Sequence, residues 1–200
     1  FYMFAQSYYK TKQHYLAGYQ YESFTSSYPK SEKAEEAAFL SAESYSKLSP
    51  RYTLDQTDTD KAIDKLQAFI NLYPNSEYLP RANEIVKTLR EKLEKKAFEN
   101  AKQYHTIGGY TRDYSAAIKA LDNFIADYPG TPFKEDALYY RFDSAYILAI
   151  NSVESKKQER LNLAKASYAN LIKFNGSTQY KKEVDEKLAR IEKELQQFSN

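Results

Sequence analysis

A tyrosine–proline pair that ends the same apolar pattern three times is the feature that most constrains the fold of this chain. In each copy a small residue is followed four positions later by a large apolar residue, and three positions after that by phenylalanine. These offsets place the side chains on one stripe of an α-helix, and proline then ends the helix because it lacks the backbone N–H. The three segments are residues 17–29, 62–74 and 117–129.

The spacing of the copies predicts a helical repeat protein. Pro29 and Pro74 lie 45 residues apart, and Pro74 and Pro129 lie 55 apart. Both steps exceed the roughly 34 residues of a tetratricopeptide repeat, although the pattern matches the second helix of that repeat. We expect the excess in loops at residues 49–56 and 107–112. The predicted helices span residues 1–12, 14–27, 31–48, 59–72, 77–105, 113–127, 132–151, 155–174 and 178–198.

The predicted fold is all-α, a right-handed α-solenoid of about five tetratricopeptide-like helix pairs with a C-terminal capping helix. We expect one continuous solenoid in which residues 1–105 hold the N-terminal repeats and a candidate peptide groove. Residues 106–200 would hold the C-terminal repeats and the capping helix. A left-handed residue at Asn175-Gly176 is expected to end the eighth helix. Thr59 or Asp60 is expected to cap the fourth helix.

Composition excludes several classes of protein. The absence of cysteine excludes disulfides, thiolate metal sites and cysteine nucleophiles. The 29 basic and 27 acidic residues leave a net charge of +2, which argues against nucleic acid as a partner. No catalytic or nucleotide-binding motif is present, so the sequence favours a binding protein that is not an enzyme and has no cofactor. Because the chain opens at Phe1 inside a helical pattern, we expect it to be a processed or trimmed fragment.

The first helix of each pair lines the concave face of a tetratricopeptide array, and there the sequence predicts a peptide-binding groove. Aromatic side chains supply contact area with few rotatable bonds, and tyrosine hydroxyls can meet the backbone of an extended peptide. A peptide that ends in an aromatic residue would suit such a lining. The alternative is that these tyrosines pack between helices, which is the commoner role for any one of them. The candidate groove residues are Tyr2, Gln6, Tyr9, Phe39, Glu43 and Lys47.

Three other groups of residues have a plain interpretation. The Lys- and Glu-rich segment 87–102 is typical of a solvated helix face with Glu–Lys pairs. The acids Asp55, Asp58 and Asp60 lack the glycine and glutamate of a calcium loop. His14 and His105 are expected at helix ends, in surface or capping roles. The sequence therefore predicts no metal site.

Several of these segments resemble the BamD family, the tetratricopeptide lipoproteins of the outer-membrane β-barrel assembly machinery. The similarity covers roughly residues 8–149, and the order of the repeats is more specific than any one Tyr-Pro pair. It is carried by Tyr73-Pro74-Asn75-Ser76-Glu77-Tyr78, Leu89, Leu93, Ala101, Tyr104, Tyr114, Ala117, Tyr128-Pro129-Gly130-Thr131 and Asp136-Ala137-Leu138.

The resemblance implies a non-catalytic scaffold that helps to fold and insert outer-membrane proteins. It implies attachment to the periplasmic face of the bacterial outer membrane through an N-terminal lipid absent from this chain, and docking on the barrel protein BamA. It further suggests contacts with other assembly lipoproteins, and that the first repeats receive the C-terminal targeting segment of unfolded barrel proteins. The alternative is a soluble periplasmic tetratricopeptide adaptor that organises envelope or cell-wall proteins.

Overall fold

The computed structural model describes residues 1–198, and within that range the chain is helical and has no β-strand. Helices follow one another with connections of six residues or fewer, as the predicted helix pairs require, except that residues 47–56 form a longer connection between α3 and α4. A short 3₁₀ turn, Gln196–Phe198, follows the last α-helix. The α-helices are α1 (Tyr2–Lys10), α2 (His14–Ser27), α3 (Ala34–Ser46), α4 (Thr57–Leu72), α5 (Leu79–Thr111), α6 (Ser115–Asp127), α7 (Lys134–Ile150), α8 (Glu154–Phe174) and α9 (Lys181–Leu195).

The three Tyr-Pro pairs end three helices with the same geometry. Tyr28, Tyr73 and Tyr128 directly follow α2, α4 and α6, with φ between −131° and −124° and ψ between 59° and 67°. Each of them donates its backbone N–H to the phenylalanine carbonyl four residues earlier. The sequence repeat therefore corresponds to a structural repeat, and a proline ring follows each helix where no further helical N–H is needed.

Helix α5 is longer than predicted, because the Gly108-Gly109 pair lies inside the helix and not in a loop. Gly108 is buried against the ring of Tyr114, and a Cβ atom there would lie 2.8 Å from Tyr114 Cδ1. The glycine thus permits a close approach of two segments rather than breaking the helix. The helix ends instead at Thr111, and the next residue, Arg112, is left-handed with a φ of 60°.

Two further local predictions are wrong. Helix α4 begins at Thr57, two residues earlier than predicted, and its N-cap is Gln56, so Thr59 and Asp60 lie inside the helix and do not cap it. Asp55 Oδ1 accepts a 2.9 Å hydrogen bond from the backbone N–H of Thr57 at the start of the helix. Helix α8 does end before Asn175-Gly176, but Asn175 is extended and not left-handed. The Asn175 side chain ends the helix by another route, because its Oδ1 accepts the N–H of Ser177 at 3.0 Å.

The chain divides into two compact units, and the division lies inside α5 between Leu93 and Glu94. In unit 1, α1 packs on α2, α2 on α3 and α3 on α4. Its core is formed by small, aliphatic and aromatic residues on the repeat stripes, including Ala17, Tyr21, Phe24, Ala62, Leu66 and Phe69. Each Å² of apolar surface that is buried here contributes about 25 cal/mol to the free energy that stabilises the helix pairs.

In unit 2, α6 packs on α7, α7 on α8 and α8 on α9. The third copy of the repeat supplies Ala117, Leu121 and Phe124 to its core. The lysine- and glutamate-rich final helix α9 buries Val184 and Ile191 and leaves most of its other residues exposed. Such a helix is suited to the end of a repeat array, where one face has no neighbour.

Candidate functional site

The predicted groove residues lie on two helices of unit 1. Tyr2, Gln6 and Tyr9 are on α1, whereas Phe39 and Glu43 are on α3 and Lys47 is the residue directly after α3. Spacings of three and four residues place each set on one face of its helix. The three α1 residues are half-buried and Lys47 is exposed, but Phe39 and Glu43 are each only 1% exposed. Those two therefore belong to the packing beneath the surface.

Glu43 holds three helices of unit 1 together. Its Oε2 accepts a 2.8 Å hydrogen bond from the Tyr9 hydroxyl of α1, and its Oε1 forms an ion pair with the Arg81 guanidinium of α5. A buried carboxylate is costly unless it is paired and hydrogen-bonded, and here both oxygens have a partner. We call this arrangement the carboxylate clamp of unit 1. Burial, together with the bond to Glu43, raises the pKa of Tyr9 to about 12.

Phe39 supports the clamp from below. Its ring stacks on Tyr78 with centroids 4.8 Å apart and an interplanar angle of 12°. The Arg81 guanidinium lies 5.6 Å from the centre of the same ring, which is the arrangement of a cation–π contact. Phe39 also packs on Phe69 of the second repeat stripe. The position of Arg81 is thus fixed by an aromatic ring and a carboxylate, although its side chain is 59% exposed.

The remaining predicted groove residues differ in their surroundings. The Tyr2 ring packs on Tyr21 and Phe24, with centroids 5.7 and 5.6 Å away. Burial raises the pKa of Tyr2, and the neighbouring carboxylate of Glu36 adds to the effect. Tyr2 therefore contributes to packing between α1 and α2, which is the role that the alternative interpretation gave to the tyrosines. Gln6 and Lys47 keep part of their side chains in solvent.

Unit 2 contains a second carboxylate clamp at the equivalent positions. Glu43 lies fourteen residues after Pro29, and Asp143 lies fourteen residues after Pro129. Asp143 is buried on α7, its Oδ2 lies 3.4 Å from His105 Nε2 of α5, and its Oδ1 accepts a 2.5 Å bond from Lys187 Nζ of α9. His105 thus replaces Tyr9, and Lys187 replaces Arg81.

The aromatic support is repeated as well. Tyr139 lies at the position equivalent to Phe39, and it stacks on Tyr180 with centroids 3.7 Å apart and an interplanar angle of 10°. The Tyr139 hydroxyl donates a 2.8 Å bond to Glu183. The cation of Lys187 lies 5.8 Å from the Tyr139 ring, as Arg81 does above Phe39. Both units therefore join three helices through a buried acid. In each unit an aromatic ring lies four residues before the acid on the same helix, and a cation from a later helix lies near that ring.

Sequence reasoning missed the second clamp, and it placed His105 at a helix end. The histidine lies well inside α5, where its Nδ1 is 2.9 Å from Ser144 Oγ. The signal was present in the sequence, since Glu43-Ser44 and Asp143-Ser144 follow their prolines at the same distance. The cation could not have been found in this way, because its spacing differs between the units. Arg81 follows the stacked ring of Tyr78 by three residues, whereas Lys187 follows the stacked ring of Tyr180 by seven.

The other predicted candidates lie outside both clamps. Segment 87–102 forms Lys–Glu pairs along α5, including Lys95 Nζ with Glu99 Oε1 at 2.6 Å. Asp55 Oδ1 accepts the backbone N–H of Thr57 at the start of α4, as described above. Among residues 1–198, no three His, Asp or Glu side chains are grouped so that they could hold a metal ion. No helix in this range is long and apolar enough to cross a bilayer.

Helix pairs that recur along the chain, with a buried acid joining helices in each unit, define a helical-repeat protein. Comparison with known proteins agrees with this fold class and identifies one family within it. The family model YfiO, described as an outer membrane lipoprotein, matches residues 1–112 and again residues 109–198. The chain therefore belongs to this outer membrane lipoprotein family.

A curated relative from Aquifex aeolicus (strain VF5) is named "Putative outer membrane protein assembly factor BamD". It is 27% identical to this chain over 197 residues, which are 98% of the chain. The chain spans 62% of the length of that relative. The resemblance to BamD proteins seen in the sequence is thereby confirmed.

Proposed function

We propose that this protein is a non-catalytic scaffold of outer-membrane protein assembly. The observation that carries the proposal is the family match, which extends over both units of the chain, together with the assembly role in the name of the Aquifex relative. The structure supports a binding role, since its polar networks join helices to each other and leave aromatic and cationic groups at the surface. The helix pairs would form a right-handed solenoid of about five tetratricopeptide-like repeats.

The proposed location is the periplasmic face of the outer membrane, with attachment through a lipid on an upstream N-terminal cysteine. The chain itself has no cysteine, so the anchor would precede Phe1. Mass spectrometry of the protein isolated from host membranes tests this location. A lipid-modified N-terminal peptide supports it, whereas an unmodified N-terminus in the soluble periplasmic fraction supports the soluble adaptor instead.

The proposed main partner is a BamA-like barrel protein, with other assembly lipoproteins as further partners. The test is gentle solubilisation of host membranes, affinity purification through a C-terminal tag, and identification of the co-purifying proteins. Recovery of a large β-barrel protein in near-stoichiometric amount supports the scaffold role. Recovery of cell-wall enzymes without a barrel protein would contradict it and favour the adaptor.

The second part of the proposal concerns the surface of unit 1 at the carboxylate clamp. We place here the binding of C-terminal segments of unfolded barrel proteins, through Tyr9, Gln6 and Lys47. Glu43 and Phe39 would act beneath that surface by fixing Tyr9 and Arg81. The exposed guanidinium of Arg81 suits a terminal carboxylate, because arginine forms directional hydrogen bonds with carboxylates.

Titration of a fluorescent peptide ending in a free aromatic residue tests the groove. Lys47→Ala and Tyr9→Ala are expected to weaken binding, and the same peptide with an amidated C-terminus is expected to bind more weakly than the free acid. Tyr104→Ala is the matched control, since Tyr104 is an exposed tyrosine on α5 in unit 2. Equal affinities of the unchanged protein and the three variants would contradict peptide binding at this surface. The scaffold role would then be tested by the co-purification experiment alone.

A further inference from the structure

An open groove in unit 2 lies between α6, α7 and α8, outside both clamps. Its volume is about 420 Å³, within the roughly 300–1,000 Å³ of ligand-binding pockets. Ile125, Leu138 and Phe174 provide apolar surface, and Phe174 is 49% exposed. The polar members of the lining are Asp122, Lys134, Arg141, Asn170 and Lys173.

The charges of this groove are unbalanced. Arg141 is used internally, because it forms an ion pair with Asp122 and donates a hydrogen bond to Ser167 Oγ. That pairing neutralises the one carboxylate of the lining. Lys134 and Lys173 remain as the cations of the rim, and within residues 1–198 neither forms an ion pair with a carboxylate. Lys134 Nζ lies 5.5 Å from the centre of the Phe174 ring.

The equivalent groove of unit 1 shows that this chemistry is particular to unit 2. That groove is smaller, about 270 Å³, and its lysine, Lys65, is already paired with Glu22 at 2.5 Å. Positions that are small or polar there carry larger apolar or cationic side chains in unit 2. The three pairs, which lie one hundred positions apart, are Thr25 and Ile125, Ala38 and Leu138, and Ser41 and Arg141, whereas an acid stands at the fourth position in both units, Glu22 and Asp122.

We propose that the unit 2 groove binds an acidic segment of a partner protein that inserts one large apolar side chain between two carboxylates. The apolar residues Ile125, Leu138 and Phe174 would take the side chain, and Lys134 and Lys173 would each face a carboxylate. Opposite charges at a rim give specificity and a faster association rate. A chain segment fits better than an enclosed small molecule, because four of the lining residues, Asp122, Asn170, Lys173 and Phe174, are exposed to solvent. This inference does not depend on the peptide surface of unit 1.

The test uses four blocked tripeptides, each acetylated and amidated, titrated into the whole chain and followed by ¹H–¹⁵N NMR. Their sequences are Glu-Phe-Glu, Gln-Phe-Gln, Lys-Phe-Lys and Glu-Ala-Glu. We expect Glu-Phe-Glu to bind most tightly, to shift the amide signals around Leu138 and Phe174, and to weaken as salt is raised. Equal binding of the Glu and Lys peptides, or shifts elsewhere in the chain, would overturn the proposal.

Variants make the test specific to the groove. Lys173→Glu is expected to weaken Glu-Phe-Glu binding by about five-fold or more, because an attraction becomes a repulsion. Phe174→Ser, at a half-exposed position that spares the core, is expected to weaken it as well. Lys182→Glu on α9 is the matched control, since it makes the same charge change at an exposed lysine outside the lining. An equal loss in Lys182→Glu would show a general charge effect and would contradict the proposal. Decanoate serves as a probe for a small amphiphile. If decanoate causes the same amide shifts while none of the peptides binds, the proposal of a partner segment is contradicted and a small amphiphile is the ligand.

Discussion

Glu43 and Asp143 occupy the same place in the two halves of the chain, each buried and each fourteen residues after the proline of a Tyr-Pro pair. Each accepts a hydrogen bond from a cation on a later helix, and each lies beside a ring on the helix two before its own, Tyr9 or His105. Buried acids are retained where both oxygens have partners, and they then fix the relative position of the elements that supply those partners. The family match falls twice on the chain, once on each half.

The clamp of unit 1 predicts that Arg81 stabilises the fold more than its exposure suggests. Arg81→Met would leave Glu43 buried with one oxygen unpaired, which should lower the free energy of unfolding by about 1–3 kcal/mol. Arg90→Met, the same change at an exposed site of the same helix, should alter it by less than about 0.5 kcal/mol. Urea unfolding followed by circular dichroism measures both. Equal effects of the two substitutions would show that the clamp adds no stability.

The repeat stripe predicts that two residues one turn apart on α4 differ greatly in their contribution to the free energy of unfolding. Phe69 is 2% exposed in the core, and Leu72 is 68% exposed. Phe69→Ala removes buried apolar surface and leaves a cavity, so we expect a loss of about 3–5 kcal/mol. Leu72→Ala should stay within about 0.5 kcal/mol. Thermal or urea unfolding decides between them, and a small loss at Phe69 would be inconsistent with its place on the stripe.

The glycine pair of α5 predicts two opposite results for one kind of substitution. Gly108→Ala places a Cβ atom 2.8 Å from the Tyr114 ring, and such overpacking typically costs about 1–3 kcal/mol. At Gly109 the nearest atom would be 3.7 Å away, so Gly109→Ala should stabilise the helix by about 0.5–1 kcal/mol through propensity. The midpoints of urea unfolding compare the two variants. A stabilising Gly108→Ala would show that Tyr114 does not pack as described.

The clamp of unit 2 predicts a pH dependence of stability. Burial is the main reason that the pKa of His105 lies below its usual value of 6.5, Lys187 and Lys102 lower it further, and Asp143 opposes them. Because the folded pKa is below the unfolded one, the contribution of His105 is complete above about pH 6.5 and is lost as the pH falls through the folded value. The loss of stability between pH 7.5 and 5.5 should therefore be smaller in His105→Gln than in the unchanged protein.

Urea unfolding at a series of pH values measures this difference, and NMR titration of the His105 ring gives its pKa directly. Asp143, Lys187 and Lys102 are the charged groups that act on the pKa of the ring. The opposite sign, with His105→Gln losing more stability on acidification, would mean that Asp143 outweighs burial and the two lysines.

The helices were predictable because their signals are local. Residues such as Ala62, Leu66 and Phe69 are spaced by four and three, and Pro74 marks the stop, so a short stretch of sequence is sufficient. The errors arose where a distant residue decides the outcome. From the sequence alone Gly108 is expected to break the helix. In the structure it lies inside the helix, because the Tyr114 ring packs directly against it. Solenoid handedness and the number of repeats remain predictions.

The candidate site was predictable only in part, for the same physical reason. The helical period places Tyr9 on one face of α1 and Glu43 on one face of α3, but it does not show how deeply either is buried. The buried carboxylate of Glu43 is paired with Arg81, which lies 38 residues away in sequence. The peptide-binding role of the groove residues and the division after residue 105 remain predictions.

The most direct test of the proposed scaffold role is depletion of this protein in its host, followed by quantitative proteomics of the outer membrane. We expect β-barrel proteins as a class to decline in the outer membrane while unfolded precursors accumulate in the periplasm, and we expect re-expression of the full-length protein to restore them. Unchanged β-barrel protein levels after complete depletion would contradict the proposed role in assembly.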